Sequence, residues 1–185
     1  NVPFVVGPEG GTASVLNSTV TLTVLPQSLQ QSTTILFAPT PSPPSDSRLI
    51  PGTAITIGPE NLLFSGGATL KLKYDKSKLP SNVIQASLEI YSFANGAWRQ
   101  IGTSAVDSAT QVVSGVIPGR GTYAVIGTPI ARIALTPEGG ALVFVGRTRQ
   151  LTATALDGAG KSLAGRTIAW STSNAAVATV DAAGK

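Results

Sequence analysis

Hydrophobic and polar residues alternate with a period of two along much of this chain. Thr19-Val20-Thr21-Leu22-Thr23-Val24-Leu25 sets hydroxyls against aliphatics, so Val20, Leu22 and Val24 share one face of an expected strand. Leu70-Lys71-Leu72-Lys73-Tyr74 repeats the pattern with its lysines outward. The same reading, helped by β-branched and aromatic content, makes strands of Thr33–Ala38, Thr53–Ile57, Ser87–Phe93, Ala97–Ile101, Gln111–Val116 and Thr122–Ile126. No window of a dozen residues carries a 3.6-residue period, so no amphipathic helix is expected. Asn95-Gly96 stands between two of these runs. It is the pair that a type I′ hairpin turn favours, because both central residues take positive φ.

Pro39, Pro41, Pro43, Pro44 and Pro51 crowd one segment with Ser and Asp. Prolines lack the amide donor that a central strand needs, so 39–51 reads as a long exposed loop within one core. Its spacing is similar to that of a polyproline ligand, against which stands the simpler role of a stiff connection. The domain boundary falls at Gly127-Thr128-Pro129. After it comes a second strand series: Ile130–Leu135, Ala141–Val145, Arg149–Leu156, Thr167–Ser171 and Ala176–Val180. Short strands separated by turns predict β-sandwiches. The expected architecture is therefore all-β, with two consecutive β-sandwich domains at 1–127 and 130–185 and a short linker at 128–129. Pro-Glu-Gly-Gly occurs at both 8–11 and 137–140, but the flanking residues do not repeat, so it is turn chemistry rather than a duplication.

Composition narrows the chemistry. The 185 residues include no Cys, His or Met. That removes disulfides, thiolate nucleophiles, thiolate or imidazole metal ligands and any triad built on histidine. A serine nucleophile would need a lysine base, as in Ser-x-x-Lys, and no Lys here has a Ser three residues before it. The nine acids are scattered, without the paired carboxylates of glycoside hydrolysis. Asp157-Gly158-Ala159-Gly160 carries one carboxylate, too few for calcium, and reads as a hairpin turn. The glycines at 115, 119, 121 and 127 precede no helix that could hold a phosphate. An enzyme, a cofactor and a metal are thus not expected.

The formal charge is +4, and its distribution decides what it means. Seven basic and six acidic residues lie in 1–127, six basic and three acidic in 128–185. Neither part has the dense stripe that nucleic acid requires. No apolar run is long enough for a membrane helix. The chain starts Asn1-Val2-Pro3-Phe4, which reads as a processed or excised piece. Absent cysteine fits either an intracellular or a bacterial surface protein, and low charge with Thr/Ser-rich strands points to a bacterial surface or secreted one. Lys71, Lys73, Lys76 and Lys78 form the one basic cluster. Lys71 and Lys73 suit an acidic surface polymer, although outward lysines also guard an edge strand against pairing. Tyr91 and Trp98 flank the Asn95-Gly96 turn. They suit either stacking on a sugar or a cross-strand aromatic pair. Asn17-Ser18-Thr19 is a glycosylation acceptor pattern in a secretory host.

Residues 130–185 resemble the group-two bacterial immunoglobulin-like domains. The resemblance rests on Ile133-Ala134-Leu135-Thr136-Pro137, Val145-Gly146 and Gln150-Leu151-Thr152-Ala153-Thr154. It continues through Asp157, Gly160, Ile168-Ala169-Trp170-Ser171-Thr172-Ser173-Asn174 and Val177-Ala178-Thr179-Val180-Asp181. It implies an immunoglobulin-like sandwich in which Trp170 fills the space between two sheets. The segment falls well short of the roughly 100 residues of a full sandwich, so the last strands are expected to be missing. Either the piece was cut, which is the favoured reading, or a partner strand completes the sheet at an open edge near Ala176–Val180.

Residues 7–127 resemble the ZU-five domain of ankyrins, netrin receptors, tight-junction proteins and bacterial surface proteins. The residues are Gly10-Gly11, Val20–Pro26 with Leu29, Gly58-Pro59-Glu60 with Phe64, Leu70-Lys71-Leu72 with Tyr74, Trp98 and Gly121-Thr122-Tyr123-Ala124-Val125. Some relatives cut themselves at His-Phe-Ser before the last strand. Pro118-Gly119-Arg120-Gly121-Thr122-Tyr123 stands there instead, so self-cleavage is not implied. The expected role is a non-enzymatic structural or adhesion segment, a rigid spacer or interaction module, with a protein or surface polysaccharide as partner. Alternatives are a carbohydrate or surface-polymer binder using Lys71, Lys73, Tyr91 or Trp98, and an extracellular filament subunit whose copies exchange strands.

Overall fold

The alternating segments of the first unit form strands. The computed structural model describes residues 1–81, 83–102, 104–137, 143–158, 160–163 and 168–185, and the chain divides into two units, Asn1–Thr128 and Pro129–Lys185. The strands of the first unit, in chain order, are β1 (Val2–Val6), β2 (Gly11–Val15), β3 (Val20–Val24), β4 (Thr33–Pro39), β5 (Ile55–Gly58) and β6 (Leu63–Lys73). They continue with β7 (Leu88–Ala94), β8 (Ala97–Gln100), β9 (Ser104–Asp107), β10 (Val112–Gly119) and β11 (Gly121–Gly127). Sheet A has the order β1-β4-β5-β11-β7-β8 and sheet B the order β2-β3-β6-β10-β9, all pairs antiparallel.

The two sheets close over one apolar core, a β-sandwich. Sheet B supplies Val20, Leu22, Val24, Leu70, Leu72, Val113 and Ile117, and sheet A supplies Ile35, Phe37, Ile55, Ile57, Ile90, Tyr123 and Val125. These are the inward halves of period-two strands. Burying one such aliphatic side chain is worth about 1.5–3 kcal/mol, and this repeated gain fixes the register of each strand. The Asn95-Gly96 turn forms as expected: φ is 52° at Asn95 and 78° at Gly96, and Ala94 faces Ala97.

Strands β1, β2 and β9 lacked a legible period in the sequence. Each is an edge strand, and an edge strand needs only one neighbour and part of the core. Strand β6 begins at Leu63, well before the expected Leu70. Gly66 and Gly67 break its alternation, but Val116 lies over Gly67, where a β-carbon would strike it.

The chain passes from sheet B to sheet A between β10 and β11, and a buried tyrosine locks the passage. Tyr123 donates its hydroxyl to the carbonyl of Gly119 at 2.8 Å and lies 3.2 Å from that of Arg120. A tyrosine bonded back to the backbone a few residues upstream is a corner device of β-sandwiches. Gly119 fits because a β-carbon there would collide with the Leu62 carbonyl, which also accepts the Arg120 N–H at 2.9 Å.

In the second unit, the described residues form one antiparallel ribbon, β12 (Arg132–Thr136) with β13 (Thr152–Leu156). The Asp157 turn forms: the carboxylate accepts the Lys161 N–H at 2.8 Å. Several expected strands do not appear. Arg149–Leu151 leave the ribbon, Val143–Val145 and Ile168–Ser171 are irregular, and Ala141, Leu142 and Thr167 lie outside the described residues. The expected edge at Ala176–Val180 is not a strand. The Asn174 carbonyl accepts the N–H groups of Val177 and Ala178, and its side chain accepts that of Ala176, which curls the segment into a turn. Trp170 does not sit between two sheets; it packs, half-buried, against Gly184, whose carbonyl accepts the Leu151 N–H.

The corner can be tested. Burial pushes the Tyr123 phenol up to about 12. A raised value means that the neutral form is favoured in the fold, so its contribution is complete below the ordinary tyrosine value of about 10 and fades as pH rises towards the folded value. Tyr123→Phe should cost about 1–3 kcal/mol in denaturant unfolding at pH 7. It should also flatten the alkaline loss of stability relative to the parent; an equal alkaline loss in both proteins would refute the assignment.

Candidate interaction surfaces

The outer faces of the two sheets differ, and that difference defines the candidate sites. On sheet A, pairing aligns Ala38, Thr56, Thr122, Phe93 and Trp98 in one row across the strands. Ala124, Tyr91 and Gln100 align in the next. Tyr91 and Trp98 thus share a face, but the cross-strand aromatic pair is Phe93 with Trp98, edge to face at 5.3 Å.

The proline segment lies over this face rather than standing free. The Thr40 N–H donates to the Ala54 carbonyl at 3.0 Å and closes the neck of an Ω-loop. Inside the neck, the Thr53 hydroxyl donates to Ile50 O at 2.7 Å and accepts the Val125 N–H at 3.1 Å, so this buried threonine is satisfied. The loop reaches across to β8, where the Trp98 indole N–H donates to the Pro44 carbonyl at 3.0 Å. On its return, Arg48 stacks over the Tyr91 ring at 5.8 Å. Asp46 accepts from the Arg48 backbone N–H and from Nε at 2.9 Å and Nη2 at 2.7 Å, a fork that holds Arg48 in place. Ala124 and Ile126 alternate with the core residues Tyr123 and Val125 yet expose no surface, and the returning loop runs beside them, with Leu49 bridged to Ile126 and the Ile50 N–H donating to the Val125 carbonyl at 2.9 Å. The expectation of a long exposed loop holds for Pro39, Pro41 and Pro51, which are exposed, but not for its middle, where Pro43 and Pro44 are half-buried and the Pro44 carbonyl accepts from Trp98. A cleft of about 540 Å³ lies within the loop, walled by Pro41, Pro43, Pro44 and Pro51, with the Asp46 carboxylate already taken by Arg48.

Among the described residues, sheet B carries no such cover in its hydrogen bonds or ring contacts. One outer row reads Thr12, Thr23, Thr69 and Val116, and the next Ser14, Thr21, Lys71, Ser114 and Ala105. Lys73, Val112 and Asp107 form a third. Lys71 and Lys73 are exposed and stand on β6, the middle strand. They therefore do not guard an edge. Among the described residues neither has a carboxylate partner; the ion pairs are Arg48–Asp46 at 2.7 Å and Lys78–Asp75 at 3.9 Å. Lys76 and Lys78 follow on an exposed single turn of 3₁₀ helix.

The acids are used locally. The Ser77 and Arg48 donors hold the Asp75 and Asp46 carboxyls below the usual range. Thr110 does the same for Asp107, and the backbone of Lys185 for Asp181. None of these four is raised as a general acid at neutral pH would need. Among the described residues no three acidic side chains converge, and no helix is long and apolar enough to cross a membrane. No family model matches the chain, and neither does any curated protein.

Two changes probe the loop. Trp98→Phe keeps a ring beside Phe93 and removes the N–H, so it should cost about 1 kcal/mol and speed amide exchange across 40–54. Because the folded Asp46 value is lowered, its contribution is present above the ordinary aspartate value and is lost as pH falls through the folded one. Loop protection should fall in acid, and in Asp46→Asn it should be weaker at pH 7 and respond less to acid. Unchanged exchange in Trp98→Phe would separate the loop from the indole.

Proposed function

We propose that the first unit is a presenting, interaction-type module of a non-enzymatic structural or adhesion protein, set on a bacterial surface or secreted. The carrying observation is topological. Strand β1 runs antiparallel to β4, β4 to β5 and β5 to β11. The start of β1 and the end of β11 therefore point to the same end of the sandwich. A load applied at those two points crosses one end of sheet A and opens its hydrogen bonds one after another. A load along the strands would shear many at once, since antiparallel ladder bonds stand perpendicular to the strands. A module entered and left at one end projects its other end and its faces, which favours interaction over a rigid spacer in series. The hydroxyl-rich strands and low charge support an extracellular setting. The resemblances to ZU-five and group-two bacterial immunoglobulin-like domains belong to this reading.

Force spectroscopy tests it, using cysteine handles in this cysteine-free chain. Pulling between residues 1 and 128 should unfold the first unit at clearly lower force than pulling between 95 and 128, which loads the strands lengthwise. Equal forces on both axes would reject the presenting geometry.

One observation favours a second reading, the strand-exchanging filament. Ile133, Leu135, Phe144, Val145 and Val177 are all strongly exposed in the second unit. Ile133 and Leu135 face Ala155 and Ala153 across the ribbon, an apolar face of the kind that strand addition covers. Sedimentation of the 185-residue chain should then show concentration-dependent assembly that Leu135→Lys abolishes. A monomer at all concentrations would remove this reading.

A further inference from the structure

Resting on the presenting-module reading, we infer that the outer face of sheet B is a binding surface for a linear polyol-phosphate polymer, with Lys71 and Lys73 as its charge contacts. Three observations converge on that face. The lysines lie two residues apart on one strand, so they project from one face about 7 Å apart. Both stand on the middle strand of the sheet, unpaired among the described residues. Two like charges so placed repel mildly, and among the described residues no carboxylate pairs with either. Asp107, the acid on the third row, accepts the Ala109 and Thr110 N–H groups at 3.0 and 3.1 Å and is turned to its own loop.

The neighbours define the rest of the ligand. Thr21 and Ser114 flank Lys71 on the two adjacent strands, at the 4.5–5.5 Å Cβ spacing typical of cross-strand pairs. Thr12, Thr23 and Thr69 line the row beside them, with Thr12 and Thr23 sharing a hydrogen bond at 3.1 Å. Short side chains leave the face flat enough for an extended polymer, and their hydroxyls both donate and accept. That suits a chain alternating anionic oxygens with neutral hydroxyls. Lysine ammonium acts as a point charge and suits tetrahedral phosphate, whereas planar carboxylates favour the arginine fork. The rows hold no aromatic side chain on which bases could stack, which sets nucleic acid aside. On sheet A, the indole N–H and the Tyr91 ring are engaged by the chain's own loop.

The experiment is titration of the full chain with a defined glycerol-phosphate oligomer, followed by amide chemical shifts and calorimetry. Shifts are expected at Thr21, Lys71, Lys73 and Ser114, with weak affinity for one module. Two phosphate contacts on a flexible strand give a log K against log salt slope of about −1.4. Lys71→Ala with Lys73→Ala should weaken binding at least about tenfold, and Arg147→Ala should not. An oligo-uronate arm and a single-stranded oligonucleotide arm should bind several-fold more weakly. Equal binding of the uronate, stronger binding of the oligonucleotide, shifts elsewhere or no binding would each overturn the proposal. If binding fails while the two pulling axes still differ, the ligand class falls and the presenting geometry stands.

Discussion

The first unit depends on how the chain changes sheets between β10 and β11. These two strands carry central pairings in both sheets, β10 against β6 and β9, β11 against β5 and β7. Their connection must be short and sharp, and it must leave no polar group stranded in the core. Tyr123 meets all three demands. Its ring fills core volume, its hydroxyl satisfies the Gly119 carbonyl, and its position holds the crossing closed. Because both sheets are aligned through this crossing, it also determines which residues face outwards on each.

The asymmetry of the two outer faces follows. Sheet A shows apolar and aromatic side chains outwards, at Ala124, Ile126, Phe93 and Trp98, and must cover them. A proline-rich segment does so at low entropic cost, because its φ angles are restricted before folding. Sheet B shows hydroxyls and lysines, which are at ease in water. A covered apolar face and an uncovered polar one use the same strand period with different outward residues.

The sequence was legible where one strand had two neighbours and a full core face. Val20–Val24, Ile55–Ile57 and Thr122–Ile126 could be read directly, as could the Asn95-Gly96 turn, whose residue types are dictated by positive φ. Edge strands β1, β2 and β9 were not legible, because half-burial does not enforce alternation, whereas the edge strand β8 was, because the Asn95-Gly96 turn ties it to β7. The lysines on β6 were visible as outward residues, but their central position was not, since strand order depends on pairings between distant segments. The role of the prolines was hidden for the same reason: Pro44 meets Trp98, 54 positions further along the chain. In the second unit, local β-pattern at Ala176–Val180 lost to the Asn174 turn, which supplies hydrogen bonds at once, whereas a strand must find a neighbour.

The charges complete the contrast between the faces. Asp46, Asp75, Asp107 and Asp181 each accept N–H donors within a few residues of themselves. These bonds favour the ionised form, so the acids stay charged while their lone pairs are spent on turns. Lysine has no acceptor and only donors, and a strand backbone already pairs its carbonyls with neighbouring strands. Among the described residues, Lys71 and Lys73 therefore have no ion-pair partner. A near-neutral first unit can present a basic face for this reason, and net charge alone would not have revealed it.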